Sequence, residues 1–264
     1  MTTPDVPLRF EHTIEVPGSA AQVWDAIATA QGISAWMSPT ELEEREGGSI
    51  VFHMGPEESS EGTITGWDPP RRLVYSEPNW AALAGQDPST TTPLVTEFLV
   101  ESASGGTCVV RVVSSAFGTG ADWEQEFMAD MSKGWAPMFE HLRLYLTHFP
   151  GQRTTYFEAS TTLAGTPIRA AAAIRDALGV ESAGQTVDAR GAKAQVERLG
   201  DEGLLLRLLD PVPGLLAFFA YGSGEDITTA RLGGYLFSEG AAAYVERERP
   251  EWQAWLDGLG ASAP

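Results

Sequence analysis

Basic side chains are scarce in this 264-residue chain: only two lysines, Lys133 and Lys193, contribute to a basic total of 17 against 36 acidic residues, a formal charge of −19. A field of that sign repels phosphate backbones and anionic lipid, so neither nucleic acid nor a membrane surface is expected as a partner. Cysteine is nearly absent. The lone Cys108 cannot form an internal disulfide, and lying in an apolar run it reads as a buried, reduced thiol of a reducing compartment. Long apolar runs are missing too: none approaches the roughly 20 residues that span a bilayer, and the stretch from Met1 to Glu11 has neither a basic start nor an apolar core. A cytoplasmic location is expected. What remains is an ordinary globular mixture of 43% apolar, 20% charged and 9% aromatic residues. At roughly 150 residues per domain it has the length of two domains.

Residues Arg9 to Val16 read as a strand, followed by a capping box with Ser19 at the N-cap and Gln22 three residues on. A helix should start near Ala20 and end at Gln31-Gly32, with a second short helix from Ile33 to Met37 stopped by Pro39. From Glu41 to Ala116 the apolar period changes to two, with turn signals at Gly47-Gly48, Asp68-Pro69-Pro70 and Ser104-Gly105-Gly106. An antiparallel meander follows, with strands near 41–46, 49–55, 60–67, 71–77, 94–101 and 107–115, and a long loop from Pro78 to Pro93 that contains Trp80. Asp122 and Gln125 form a second capping box ahead of a long helix with an apolar stripe of Trp123, Phe127, Met131, Met138, Leu142 and Tyr145. Gly134 and Pro137 predict a bend in it.

Shifting the chain by 147 residues aligns Phe10/Phe157, Glu11/Glu158, Gly18/Gly165, Ala26/Ala173, Ile27/Ile174, Ala30/Ala177 and Gly32/Gly179. Thr166 then stands where a cap is needed, with Pro167 at the first helical position. Strands are expected near 186–190, 193–199, 203–209, 214–221 and 227–237, then a last helix carrying Tyr244, Trp252, Trp255 and Leu256. The second half reads as a shortened copy of the first, which divides the chain into domains at 1–150 and 151–264.

The order strand, two helices, six-stranded meander and long helix resembles the SRPBCC or START-like superfamily, and within it the homologues of activators of a chaperone ATPase. The resemblance rests on Val16-Pro17-Gly18-Ser19 through Val23-Trp24, Trp36-Met37, Gly47-Gly48, Asp68-Pro69-Pro70-Arg71-Arg72-Leu73-Val74-Tyr75 and Gly134-Trp135, and covers residues 8–148. It implies for the first half an α+β helix-grip fold, a curved antiparallel sheet wrapped around its long C-terminal helix with an apolar cavity between them, and the 147-residue shift extends that fold in tandem to the shortened second half. Family members often end the last strand in a His-Ser-Gly-Phe-like sequence, where this chain has Ser114-Ser115-Ala116-Phe117.

Strand parity supplies the lining. With the last hairpin centred on Ser104, Phe98 faces Val110 and Val100 faces Cys108, so these and Val112 share the face that the long helix covers. Alternation adds Phe52, Met54, Ile64 and Tyr75, and the helices add Trp36, Phe127, Met131 and Trp135. Trp80 is expected to fold over the mouth near Trp36. Such a set makes either a solid core or a cavity for a small apolar or amphipathic molecule. The same register sets Glu97 opposite Arg111 on the outer face, a structural ion pair.

Metal and nucleophile chemistry find no support. His12, His53, His141 and His148 lack ligand spacing, Glu41-Leu42-Glu43-Glu44-Arg45-Glu46 reads as an edge strand, and no Gly-x-Ser-x-Gly elbow surrounds Ser114 or Ser115. Gly222-Ser223-Gly224 reads as a turn. The leading expectation is binding of a small hydrophobic or amphipathic ligand without a cofactor, metal or chemistry. The alternatives are a protein-interaction module of the chaperone-cofactor kind and a cyclase- or hydrolase-like enzyme, for which Tyr75, His53 and Glu61 would be the polar groups.

Overall fold

The computed structural model describes residues 5–55, 58–222 and 227–261. Ser223 and Gly224 of the expected turn lie outside them. The chain divides into two compact units between Gln152 and Arg153.

In the first unit, β1 (Val6–Pro17) leads into α1 (Ala20–Ala28). The Ser19 hydroxyl accepts the Gln22 amide at 3.3 Å while the Gln22 side chain accepts the Ser19 amide at 2.9 Å, the capping box that the sequence predicts. The first helix ends earlier than expected. Thr29 is extended (φ −121°, ψ 150°) and its hydroxyl accepts the Gly32 amide at 2.9 Å, so α2 (Ala30–Ser34) starts a few residues early and contains Gln31-Gly32. A β-carbon at residue 32 would lie 1.9 Å from the Asp25 carbonyl oxygen, and glycine is what lets α2 sit against α1.

Seven antiparallel strands follow the period-two pattern: β1, β2 (Thr40–Leu42), β3 (Ser49–His53), β4 (Ser59–Asp68), β5 (Arg72–Glu77), β6 (Leu94–Ser102) and β7 (Thr107–Gly118). Their order is β1-β7-β6-β5-β4-β3-β2, so the first strand joins the last and β2 forms an edge, shorter than the strand expected at 41–46 and holding only Glu41 of the acidic run. The β6–β7 register differs from expectation by two residues: Phe98 faces Val112, and Val100 faces Val110. Two successive left-handed glycines, Gly105 and Gly106 (φ +80° each), make a tip one residue further along than Ser104. A slip of two preserves which face each side chain occupies. It does change partners, so Glu97 faces Val113 rather than Arg111; Glu97 pairs instead with Arg72 and Arg111 with Glu11.

The loop after β5 is ordered by two short 3-10 turns, Trp80–Ala84 and Pro88–Thr90. The long helix α3 (Asp122–His148) lies along β1 and runs through Pro137 without a break. Its N-cap is Ala121, not Asp122. Glu124 performs the capping that Gln125 was expected to share, its carboxylate accepting the amides of Thr119 (2.8 Å), Gly120 (2.8 Å) and Ala121 (3.1 Å) and the Thr119 hydroxyl (3.0 Å).

The second unit repeats the plan with one helix fewer among the described residues. After β8 (Thr155–Ala164), Thr166 caps α4 (Pro167–Ala177), and β9 (Thr186–Ala189), β10 (Ala192–Leu199), β11 (Gly203–Asp210), β12 (Gly214–Tyr221) and β13 (Ile227–Leu236) precede α5 (Ala241–Ala261). The sheet order β8-β13-β12-β11-β10-β9 again joins first strand to last. Both units are α+β helix-grip folds. Trp252 from α5 is buried against Phe218 at 5.9 Å and Trp255 at 5.5 Å, filling the second core. No helix among the described residues is long and apolar enough to cross a membrane.

Candidate functional site

Register and alternation place three transverse rows on the face of the first sheet that looks towards α3. One row runs Leu73–Phe98–Val112–His12 across β5, β6, β7 and β1. The next, two residues along each strand, runs Ile64–Tyr75–Thr96–Ser114–Phe10. Beyond it Glu77 stands opposite Leu94, and Leu8 opposite Ala116. The middle row is the polar one.

An aromatic wall flanks it. Phe52 lies 5.4 Å from Tyr75, Tyr75 6.5 Å from Phe98, Phe98 5.5 Å from Trp135 of α3, and Trp135 5.4 Å from Phe139. Each polar group of the row finds a neighbour: Thr96 and Ser114 hydroxyls are 3.0 Å apart, the Thr96 hydroxyl also supports that of Tyr75, and Ser60 donates to the Glu77 carboxyl. At the rim, His12 Nε2 lies 2.9 Å from the Ser132 hydroxyl of α3.

Electrostatics follow from burial. Glu77 is 8% exposed, and loss of water raises its carboxyl above the usual carboxylate range, with the Ser60 hydroxyl opposing the shift in part. Desolvation, with the nearby Glu77 charge adding to it, holds the Tyr75 phenol far above its ordinary value. Five hydroxyl or carboxyl groups thus gather on one apolar face. They can donate to and accept from a small polar group, and Glu77 is the one placed to hold or release a proton.

Residues 17–147 match the family described as Activator of Hsp90 ATPase homolog 1-like protein. The first unit belongs to this family. No curated protein matches the chain. Among solved structures, the di-domain ARO/CYC BexL of the BE-7585A biosynthetic pathway is 12% identical, with a TM-score of 0.45 over 97% of this chain and 99% of its own. DynU16 of the dynemicin biosynthetic locus is 14% identical, with a TM-score of 0.43 over 97% of each chain. The Aha1 dimer from Colwellia psychrerythraea is 20% identical, with a TM-score of 0.43 over 53% of this chain and 96% of its own.

Within this activator-homologue unit the twelve residues picked from the sequence fall into two groups. Phe52, Ile64, Tyr75, Phe98, Val110, Val112 and Trp135 are buried on the sheet's inner face or on α3 facing it, Trp36 is buried with its indole donating to the Ala26 carbonyl at 2.9 Å, and Met54 is half-buried just past β3. Trp80, Phe127 and Met131 belong to a separate cluster with Leu8, Leu94, Ala116 and Met128. Trp80 therefore does not cover Trp36. Its ring neighbours are Trp123 at 5.6 Å and Phe127 at 5.2 Å, and its indole donates to the Thr92 carbonyl at 2.9 Å. Sequence reasoning missed Ser60, Glu77, Thr96 and Ser114. The parity that selects Phe98 and Val112 also selects Thr96 and Ser114, so the signal was present and was passed over because the residues are polar.

Proposed function

We propose that the first unit binds a small amphipathic molecule between its sheet and α3, without a resident cofactor. The apolar body lies against Phe52, Tyr75, Phe98 and Trp135, with Ile64, Val110 and Val112 beneath it, and the polar end meets Tyr75, Thr96, Ser114 and Glu77. One observation carries this reading: a buried hydroxyl row and an aromatic wall share the face under one helix, where an apolar body and a polar end can be met together. The aromatic side chains are in mutual contact, so a ligand makes room by shifting α3. Phe127, Met131 and Met138 on that helix are only half-buried, so a shift there exposes little new apolar surface. The segment 78–93 is a poorer gate, because Thr92 is tied twice to β7, its amide donating to the Phe117 carbonyl at 2.9 Å and its hydroxyl accepting the Phe117 amide at 2.8 Å.

Native mass spectrometry of the purified chain, followed by titration with aromatic probes, tests the proposal. A co-purified molecule, or a probe that quenches tryptophan fluorescence in the wild type and less in Trp135→Leu, supports it; absence of both overturns it. The family match favours a second reading, docking on a chaperone ATPase. Stimulation of Hsp90 ATPase turnover by the chain would establish that role.

A further inference from the structure

The three hydroxyls of the polar row can each donate or accept, and none brings a charge. Cations are turned away from them. Arg72 and Arg111 occupy the opposite face of the sheet, where they pair with Glu97 and Glu11, and among the described residues no arginine or lysine forms an ion pair with Glu77. His12, the imidazole at the end of the adjacent row, is engaged with Ser132. A carboxylate seated on the row would lose its water, gain no counter-ion and stand beside the Glu77 carboxyl. An uncharged oxygen there would lose little and find both donors and acceptors.

We propose that the Tyr75–Thr96–Ser114 row, with Glu77 beside it, selects ligands whose polar end is an uncharged oxygen, a phenol, alcohol or ketone on a planar apolar body, and rejects their carboxylate counterparts. This rests on the ligand-binding reading and sharpens it. Planarity follows from the wall, since Phe52, Tyr75, Phe98 and Trp135 offer ring faces and edges at contact spacings of 5.4 to 6.5 Å. Ionised, Glu77 repels an anion; protonated, it can donate to the neutral oxygen, and the discrimination against a carboxylate then falls to its lost hydration and missing counter-ion.

A matched series decides it: naphthalene, 2-naphthol and 2-naphthoate, titrated into the full chain at neutral pH by calorimetry. The expected order is naphthol tightest, naphthoate weaker than naphthol by on the order of tenfold or more, and naphthalene between them. In the double variant Thr96→Val, Ser114→Ala, which replaces both hydroxyls of a bonded pair by groups of similar shape, the advantage of naphthol over naphthalene should vanish while naphthalene still binds. Tyr75→Phe, which keeps the ring, should reduce that advantage and serves if the double variant does not fold. Naphthoate binding as tightly as naphthol, or a naphthol advantage unchanged in these variants, overturns the selection and leaves the ligand-binding reading standing. Failure of all three probes together with absence of any co-purified molecule overturns both.

Discussion

Glu124 has no exposed surface, yet it sits at the start of α3, where four donors of the 119–121 turn converge on its two oxygens. A β-carbon at the adjoining Gly118 would fall 2.3 Å from the carboxylate and push it off these donors. Glu124→Gln turns one acceptor into a donor facing donors and should lower stability by about 1–3 kcal/mol, read from urea midpoints. Equal midpoints would mean that the turn re-forms around the amide. Glu77 makes a pH-dependent prediction. Its carboxyl is raised by folding, so the native chain holds a proton that the unfolded chain has released above about pH 4.5, and stability declines as pH rises through that window. Glu77→Gln should therefore melt higher than the wild type above the window, and the difference should narrow below pH 4.5. A pH-independent difference would show that Glu77 does not carry the shift. His141 acts in the opposite direction: burial pushes its imidazole from 6.5 down to about 3, so its contribution is present above pH 6.5 and is lost as pH falls towards 3. Each unit within that window removes roughly 1.4 kcal/mol, a slope of melting temperature that His141→Leu should flatten.

Among the elements, α3 carries within its length two residues that oppose helical regularity. Pro137 withholds an amide from the turn before it, and nothing lies within 4 Å of where a Gly134 β-carbon would point. Gly134→Ala should then stabilise the helix by up to about 1 kcal/mol without a clash, and slow probe binding if α3 must move; faster binding would place the access route elsewhere. Strand identity and facing were legible because period two survives a slip of two residues, and partner identity was not because it does not survive. The Glu97–Arg111 pair failed for that reason alone. The break between α1 and α2 was misread because Thr29 resembles a helix interior residue until its hydroxyl is seen to cap the next turn. At the site, the apolar half was legible from alternation, but Ser60 reaches Glu77 diagonally across the β4–β5 pair, and such contacts have no signature along the chain.

The two units of the molecule share their joints and differ in their interiors. Gly18 and Gly165 both take positive φ (+117° and +96°) before a capped helix, and Phe10 and Phe157 occupy matching strand positions, which is why the 147-residue shift was visible. Where the first sheet carries Tyr75, Thr96 and Ser114 in the row that ends at Phe10, the second carries Leu206, Leu216 and Gly234 in the row that ends at Phe157, and the two leucines belong to one apolar cluster with Trp252. The same probes should therefore bind at one site per chain, and a calorimetric stoichiometry near two would contradict this. With a net charge of −19 and an isoelectric point near 4.5, the chain should be least soluble close to that pH, where its self-repulsion disappears. Turbidity across a pH series checks this. One further consequence concerns Cys108, 1% exposed, with its sulfur 3.4 Å from the Gly18 carbonyl and its ionisation disfavoured by burial. Because it is the chain's one thiol, its reaction with a coloured disulfide reagent times the opening of the first unit alone, and a bound ligand that closes that unit should cut the rate in proportion to the fraction of chains left unliganded.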